Sequence, residues 1–178
     1  MPPQFSLAKS RNRVQQLRIC GEFQHPHWIP YLFSGLSNLK VSVMRGTATR
    51  AATRDWDATF DLDFTECSRT PDKIDYLTLS QQQTALAFAP PTLSQFQITR
   101  RTDQSLEVLL HGPDQIGFLG RILSKLALFM LFPTELEIDT VAGRIQDRIV
   151  FRSLGGMPPS ELAEKSLETM LREFVAPG

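Results

Sequence analysis

The residues best suited to binding chemistry form a short turn, Asp114-Gln115-Ile116-Gly117, between an apolar run and a helical pattern. The run at residues 106–110 is typical of a buried strand, and apolar side chains recur at helical spacing after the turn. Asp114 is at the position of an N-cap, and Gly117 leaves the backbone bare where a small molecule could approach. Such a helix N-terminus can hold an anion, although the turn could equally serve only to start the helix.

Three histidines are the candidates for metal ligation: His25, His27 and His111. Only the first two are close in sequence, and a metal site would need further ligands. No cysteine or carboxylate cluster lies near them in the sequence. Exposed or capping histidines are therefore the favoured interpretation, and we predict no metal site.

Acid–base chemistry would need paired carboxylates, and Asp57, Asp61 and Asp63 are the candidates. They alternate with apolar residues, so they are predicted to face solvent along an edge of a sheet. No serine lies in a recognisable nucleophile elbow, and no glycine-rich phosphate loop is present. We therefore expect a protein that is not an enzyme, with no catalytic residues and no cofactor.

Composition excludes several classes of partner. The chain has 178 residues, of which 42% are hydrophobic, so it can bury a core. Its 19 basic and 19 acidic residues cancel, and no overall basic field attracts it to nucleic acid or a membrane. Cys20 and Cys67 lack metal-ligand spacing, and Cys20 is predicted to be a buried thiol. Since the first residues lack a signal-peptide core, we expect a cytoplasmic protein.

An internal repeat organises the chain. Gln24 and Asp114 are 90 residues apart, and the same shift places His27 on Gly117, Gly21 on His111 and Asp57 on Asp147. A period this long indicates two copies of one small domain, at residues 1–89 and 90–178. In the first copy the turn has lost both the aspartate and the glycine. We interpret that copy as degenerate, an architectural partner of the second.

Each copy is predicted to form a four-stranded antiparallel sheet with two helices on one face, a ferredoxin-like α+β domain. Segments 4–9 and 95–100 each follow a proline pair and precede a polar turn, so each should pair antiparallel with the strand that follows. The order would then be the permuted ββαββα.

Further details of this architecture follow from the pattern. Residues 45–55 should form a polar turn, and a helix should run from Pro71 to about Ala87. Pro133 should begin an edge strand, where proline is tolerated. Ser160 should cap a last helix, with Leu162 in its apolar stripe.

The turn at Asp114 resembles the Asp-x-x-Gly turn of ACT domains, small regulatory modules that bind amino acids. Residues 134–140 and 146–153 look like the family's hairpin, with residues 147–151 similar to its Asp-x-x-x-Phe strand, although Ile116 replaces a common proline. The resemblance is closest to the tandem ACT copies of bacterial nitrogen-sensing uridylyltransferases and to small two-ACT regulators. It implies ligand-binding residues at the turn: Asp114, Gln115, Ile116, Gly117 and Phe118.

Two functions are therefore compared. The first is a non-enzymatic regulator that senses an amino acid or similar metabolite through ACT-like domains and passes the signal to a separate protein. The alternative is a ligand-free interaction module acting through a homodimer or a partner protein, using the apolar groups at residues 28–33 and 129–132. A small enzyme and an RNA-binding sheet are less favoured, because no catalytic groups converge and the aromatic RNA-binding strand motif is missing.

Overall fold

The computed structural model describes residues 1–51, 54–85 and 89–176, without the side chains of residues 10 and 11. The strands are β1 (Gln4–Arg11), β2 (Val14–Glu22), β3 (Ser42–Arg50), β4 (Asp55–Asp63), β5 (Gln95–Arg100), β6 (Leu106–Pro113), β7 (Phe132–Val141) and β8 (Arg144–Arg152). The helices are α1 (Trp28–Asn38), α2 (Tyr76–Leu79), α3 (Phe118–Ala127) and α4 (Glu161–Phe174). In this part of the chain no helix is both long enough and apolar enough to cross a membrane.

The eight strands form one antiparallel sheet in the order β1-β2-β4-β3-β7-β8-β6-β5. Each half of that order comes from one repeat, and the helices cover one face. Alternate residues of the strands point toward the helices and are buried, as in β4, where every second residue is core. The predicted α+β class with two tandem ferredoxin-like units is confirmed.

The permuted order is also confirmed. β1 pairs antiparallel with β2, from Gln4 opposite Cys20 to Arg11 opposite Val14. β5 pairs with β6 in the same way, from Gln95 opposite His111 to Arg100 opposite Leu106. In each unit the first strand therefore closes the outer edge of the sheet. The boundary at residue 89 stays a prediction.

The joining of the two sheets was not predicted. β3 and β7 pair antiparallel from Arg45 opposite Asp139 to Thr49 opposite Glu135. On the open face, Arg45 Nε donates to Asp139 Oδ1 at 2.9 Å. Above the sheet α1 packs against α3, and the contact is close because Gly120 has no side chain. A Cβ on that glycine would lie 3.0 Å from the backbone nitrogen of Ser34.

The predicted turn at residues 45–55 is wrong, because β3 continues to Arg50. Its core-facing positions near the middle are Gly46, which has no side chain, and Ala48, so the usual alternation of large apolar residues is absent. A Cβ on Gly46 would lie 2.4 Å from the ring of Phe60, so the strand passes directly beneath that side chain. Small residues at this point are a packing requirement and not a turn signal.

The second helix of the first unit is shorter than predicted. Pro71 begins a 3₁₀ turn, and α2 follows it for only four residues. Asp75 accepts a hydrogen bond from the amide of Thr78 at the start of α2, and Ser80 Oγ donates to the carbonyl of Leu77 at its end. These side chains cap both ends of one turn. The predicted end near Ala87 lies outside the described residues.

Two strands predicted at an edge lie inside the sheet. β4, which carries the three aspartates, lies between β2 and β3, although its aspartates do face solvent. β7, which contains Pro133, lies between β3 and β8. Proline is tolerated there because it precedes the residues that pair with β3 and adjoins a bulge against β8.

The last helix confirms one detail and corrects another. Ser160 Oγ accepts from the amide of Ala163 at 3.1 Å, as expected of an N-cap. Leu162, predicted in the buried stripe, is 74% exposed. It lies in the first turn, before the helix reaches the sheet, whereas Leu167 and Leu171 are fully buried.

Replacing Gly120 with valine should destabilise the protein by about 1–3 kcal/mol, because the added methyl groups force α1 and α3 apart. Urea unfolding measures the effect. Ser124→Val, at an exposed position of the same helix, introduces the same side chain without the clash and with little change in helix propensity. Equal losses for the two variants would show that the helix contact tolerates a side chain.

Candidate functional site

The predicted turn joins β6 to α3, but Asp114 is not its N-cap. The amide of Asp114 donates to the carbonyl of Gly143 at 2.9 Å, which holds the residue against the β7–β8 turn. The next residues form a separate turn, in which the amide of Phe118 donates to the carbonyl of Gln115. The N-cap is Gly117, in the left-handed region at a φ of 84°. A backbone position with φ above zero favours glycine, because glycine has no Cβ to clash there. Gly117 therefore allows the turn to adopt this shape.

All five predicted site residues line one small cavity between the two units. Its other walls come from α1 with the start of β3, and from β7 and β8. The lining residues beyond the turn, including two from α3 itself, are Phe33, Ser37, Val41, Ser42, Val43, Leu119, Gly120, Ile138, Thr140, Ile145 and Asp147. The volume of about 30 Å³ accepts a water-sized molecule, so a larger ligand requires the walls to move apart.

Asp147 is the residue of this cavity whose position sequence reasoning missed. Its side chain is 2% exposed, and neither carboxylate oxygen has a hydrogen-bond partner among the described residues. The hydroxyl of Thr140, which also lines the cavity, is similarly unpartnered within the described chain. Buried carboxylates are normally paired or hydrogen-bonded, because desolvation makes the charged form costly. The cavity therefore holds polar groups that the protein itself does not satisfy.

The repeat explains why Asp147 escaped notice. It lies opposite Leu110 on the core face, whereas in the first unit the core-facing pair is Ile19 and Ala58. The true counterpart of Asp147 is thus Ala58, and the predicted match with solvent-facing Asp57 is wrong by one residue. The alternation of buried and exposed residues along β8 could have revealed it. Asp147 lies two residues from Ile145 and two from Ile149, so it falls on the core face between two buried isoleucines.

The electrostatics of the cavity are acidic. Burial raises the pKa of Asp147 to about 7, with smaller contributions from the charges of Asp114 and Asp139. The amide of Asp139 acts in the opposite direction, although it makes no hydrogen bond of normal geometry to the carboxylate. At the exposed mouth of the cavity, partial burial also raises the pKa of Asp114, as does the charge of Asp63. The site therefore favours a proton or a cationic group.

The histidines do not assemble into a site. His27 is the N-cap of α1, and its ring lies 5.2 Å from that of Phe132. Burial lowers the pKa of His27, and the neighbouring His25 lowers it further. Within the part of the chain that the structure describes, no three histidine, cysteine or acidic side chains are placed to hold a metal ion.

Gly21 and Gly112, each just before a strand–helix turn, show a second error in the predicted alignment of the two repeats. A Cβ on Gly21 would lie 2.7 Å from the carbonyl oxygen of Pro2, and a Cβ on Gly112 would lie 2.8 Å from that of Thr92. The two glycines play the same part, since each lets the segment before the first strand of its unit cross closely. Gly21 is therefore equivalent to Gly112, and the predicted match with His111 is wrong.

Comparison with known proteins identifies the fold and nothing finer. No family model matches the chain, and no curated protein matches it. A crystal structure of aspartate kinase from Synechocystis is similar, with a TM-score of 0.54 over 91% of this chain at 13% sequence identity. The likeness covers 27% of that protein, so the chain spans about a quarter of its length. It supports an ACT-like fold.

The raised pKa of Asp147 predicts that stability falls as pH rises. In the unfolded chain the carboxyl group titrates near pH 4, and in the folded chain near pH 7. Between these values only the folded state keeps the proton, so the free energy of unfolding should fall by up to about 1.4 kcal/mol per pH unit. The contribution is fully present below pH 4 and is lost above pH 7.

Urea unfolding between pH 5 and 7 measures this slope. Asp147→Asn removes the titrating group and should flatten the profile, whereas Asp57→Asn on the open face should keep the wild-type slope. If Asp147→Asn keeps the wild-type slope, the carboxylate of Asp147 in the wild-type protein does not have a raised pKa.

Proposed function

We propose that the protein is a non-enzymatic regulator that binds an amino acid, or a similar small metabolite carrying an amine, at the cavity between its two units. The observation that carries the proposal is the buried carboxylate of Asp147, unpartnered within the described chain, beside the N-terminus of α3. An ammonium group there would compensate the charge, in the way that buried ions are normally paired.

The two ends of an amino acid fit the two kinds of group at the site. Its ammonium would contact the carboxylate of Asp147 and, at the cavity mouth, that of Asp114. Its carboxylate would accept hydrogen bonds from the first-turn amides of α3, whose dipole favours a negative charge. Gly117 and the adjoining Phe118 form the backbone that would lie beside the ligand, between its ammonium and its carboxylate.

Binding at this place would be transmitted because both units form the walls. Phe33 and Ser37 of α1 face the turn before α3, and the small volume means that a ligand must move these elements apart. A ligand that binds one arrangement of the helices more tightly shifts the population toward it. The receiver of the signal would be a separate protein. The resemblance to ACT domains and the ACT-like fold both fit a regulatory module of this kind.

Thermal unfolding with each of the twenty amino acids tests the proposal. A ligand present at about 100 times its dissociation constant should add about 2.7 kcal/mol to the free energy of unfolding. Asp147→Asn should abolish the response, and without ligand it should be at least as stable as the wild type at pH 7, because it removes an uncompensated buried charge.

Asp57→Asn is the matched control, because Asp57 lies on the open face and pairs with Arg18. It should leave the ligand response intact. If no amino acid and no simple amine stabilises the wild type, the proposal is wrong.

A specific observation also favours the alternative, a protein-interaction module. Leu128 and Leu162 are 79% and 74% exposed, and they line one groove between the end of α3 and the start of α4. Exposed apolar side chains that share a groove are common at protein interfaces. The groups named from the sequence contribute only in part: Phe129 lines this groove and Met130 is 47% exposed. The others, Trp28, Phe33, Leu131 and Phe132, are buried.

Light scattering over a range of concentrations tests for self-association through this groove. Dimerisation should weaken in the double variant Leu128→Ser with Leu162→Ser, which leaves the core untouched. A monomer at every concentration would argue against a homodimer on this surface.

A further inference from the structure

A second and larger groove lies at the other end of the β3–β7 junction. Its volume is about 580 Å³, within the range of small-molecule sites. This groove lies beside the strand–helix turn of the first unit, at residues 24–26. The acidic cavity lies beside the equivalent turn of the second unit, at residues 114–117. The lining residues are Phe23, Gln24, His25, Pro26, Arg50, Ala51, Arg54, Trp56, Phe132, Pro133, Ser153, Leu154, Gly155 and Gly156.

The charge of this groove is opposite to that of the first cavity. Arg50 and Arg54 line it together with His25, and none of the described lining residues is acidic. The guanidinium of Arg50 is half-buried and makes no hydrogen bond or ion pair with any residue that the structure describes. One of its nitrogens, Nη2, lies 3.9 Å from the position that a Cβ on Gly156 would occupy. Its charge thus lies against a loop without a side chain to compensate it.

A neighbouring arginine, Arg152, adds to the positive charge around Arg50. The guanidinium of Arg152 is itself occupied by Asp103 and by the carbonyl of Gly156. Burial lowers the pKa of Arg50, and the charge of Arg152 lowers it further. An anion in the groove would relieve both effects.

Aromatic side chains form the apolar wall. Phe23, Trp56 and Phe132 line the groove and are otherwise buried, so they are fixed in place by the core. Phe23 stacks on Trp28 with ring centroids 4.0 Å apart, and Trp28 meets Trp56 edge-on at 5.5 Å. Rigid aromatic walls beside a cationic fork suit a ligand with an apolar body and one oxyanion.

We propose that this groove binds a small organic anion, whose carboxylate or phosphate pairs with Arg50 and whose apolar part lies against Phe23, Trp56 and Phe132. The site is separate from the acidic cavity and does not depend on it. The chain would then carry two sites of opposite charge preference, one at each end of the junction between its units.

Three probes with the same ring test the class of ligand: phenylacetate, phenyl phosphate and the neutral phenylacetamide. Trp28 and Trp56 are the two tryptophans of the protein, and both lie at this groove or one contact from it. Tryptophan fluorescence titration therefore reports binding directly. At least one of the two anions should bind, the tighter one identifying the preferred oxyanion, and phenylacetamide should bind at least tenfold more weakly. Equal binding of the neutral probe, or no response to either anion, would overturn the proposal.

Variants on one strand separate the specific charge from general attraction. Arg50→Gln should weaken anion binding roughly tenfold or more, the size expected for a charge-assisted hydrogen bond. Arg45→Gln, on the same strand but on the open face in a salt bridge with Asp139, should change affinity less than twofold. Equal effects of the two variants would contradict a site at Arg50.

Two further measurements distinguish binding from a structural role and from the first cavity. Arg50→Gln should leave the melting temperature unchanged or raise it, because the removed charge has no partner among the described residues. A drop of several degrees would assign Arg50 a structural role instead. Asp147→Asn should leave the affinity for the anionic probes unchanged, whatever happens to amino acid binding. Loss of anion binding in that variant would mean that the two sites are not independent.

Discussion

The antiparallel ladder between β3 and β7 is the constraint on which the rest of the structure depends. It converts two four-stranded sheets into one and brings the two helix layers into contact, so that Gly120 of one unit lies against Ser34 of the other. The register of a ladder decides which face every side chain occupies. Because the pairing is antiparallel, the two ends of the junction are related by an approximate twofold axis, and each end adjoins one strand–helix turn.

Substitutions at equivalent places have given the two ends opposite electrostatics. Asp147 stands in the second unit where the first has Ala58, and Arg50 of β3 stands where β7 has Thr140. Among the residues that the structure describes, one end therefore contains a carboxylate without a hydrogen-bond partner, and the other a guanidinium with no acidic residue in its groove. Each uncompensated charge lowers stability, because a partly or fully desolvated ion needs a partner. Tandem duplication within one chain makes this divergence feasible, whereas a symmetric homodimer must carry the same residues at both ends.

The sequence predicted the element order well, because strand and helix periodicities and proline pairs are local signals. It located the turn at Asp114, although the helix begins at Phe118, since the intervening residues make a turn of their own. It failed on β3, where Gly46 and Ala48 replace the apolar residues that mark a strand. Asp147 was missed for a geometric reason: an error of one residue in aligning β4 with β8 exchanges the buried and the solvent face. The joined sheet depends on pairing between distant segments, which no local pattern encodes.

The early position of the edge strand bears on how the chain folds. β1 and β5 each pair with the strand that follows them, across turns of only a few residues. A ferredoxin-like unit whose edge strand comes last must instead close a loop spanning nearly the whole domain before that pair can form. Short loops cost less entropy to close, and folding rates rise as contacts become more local. The permutation therefore lowers the contact order of each unit, and during synthesis an edge hairpin can form before the helices that cover it have emerged from the ribosome.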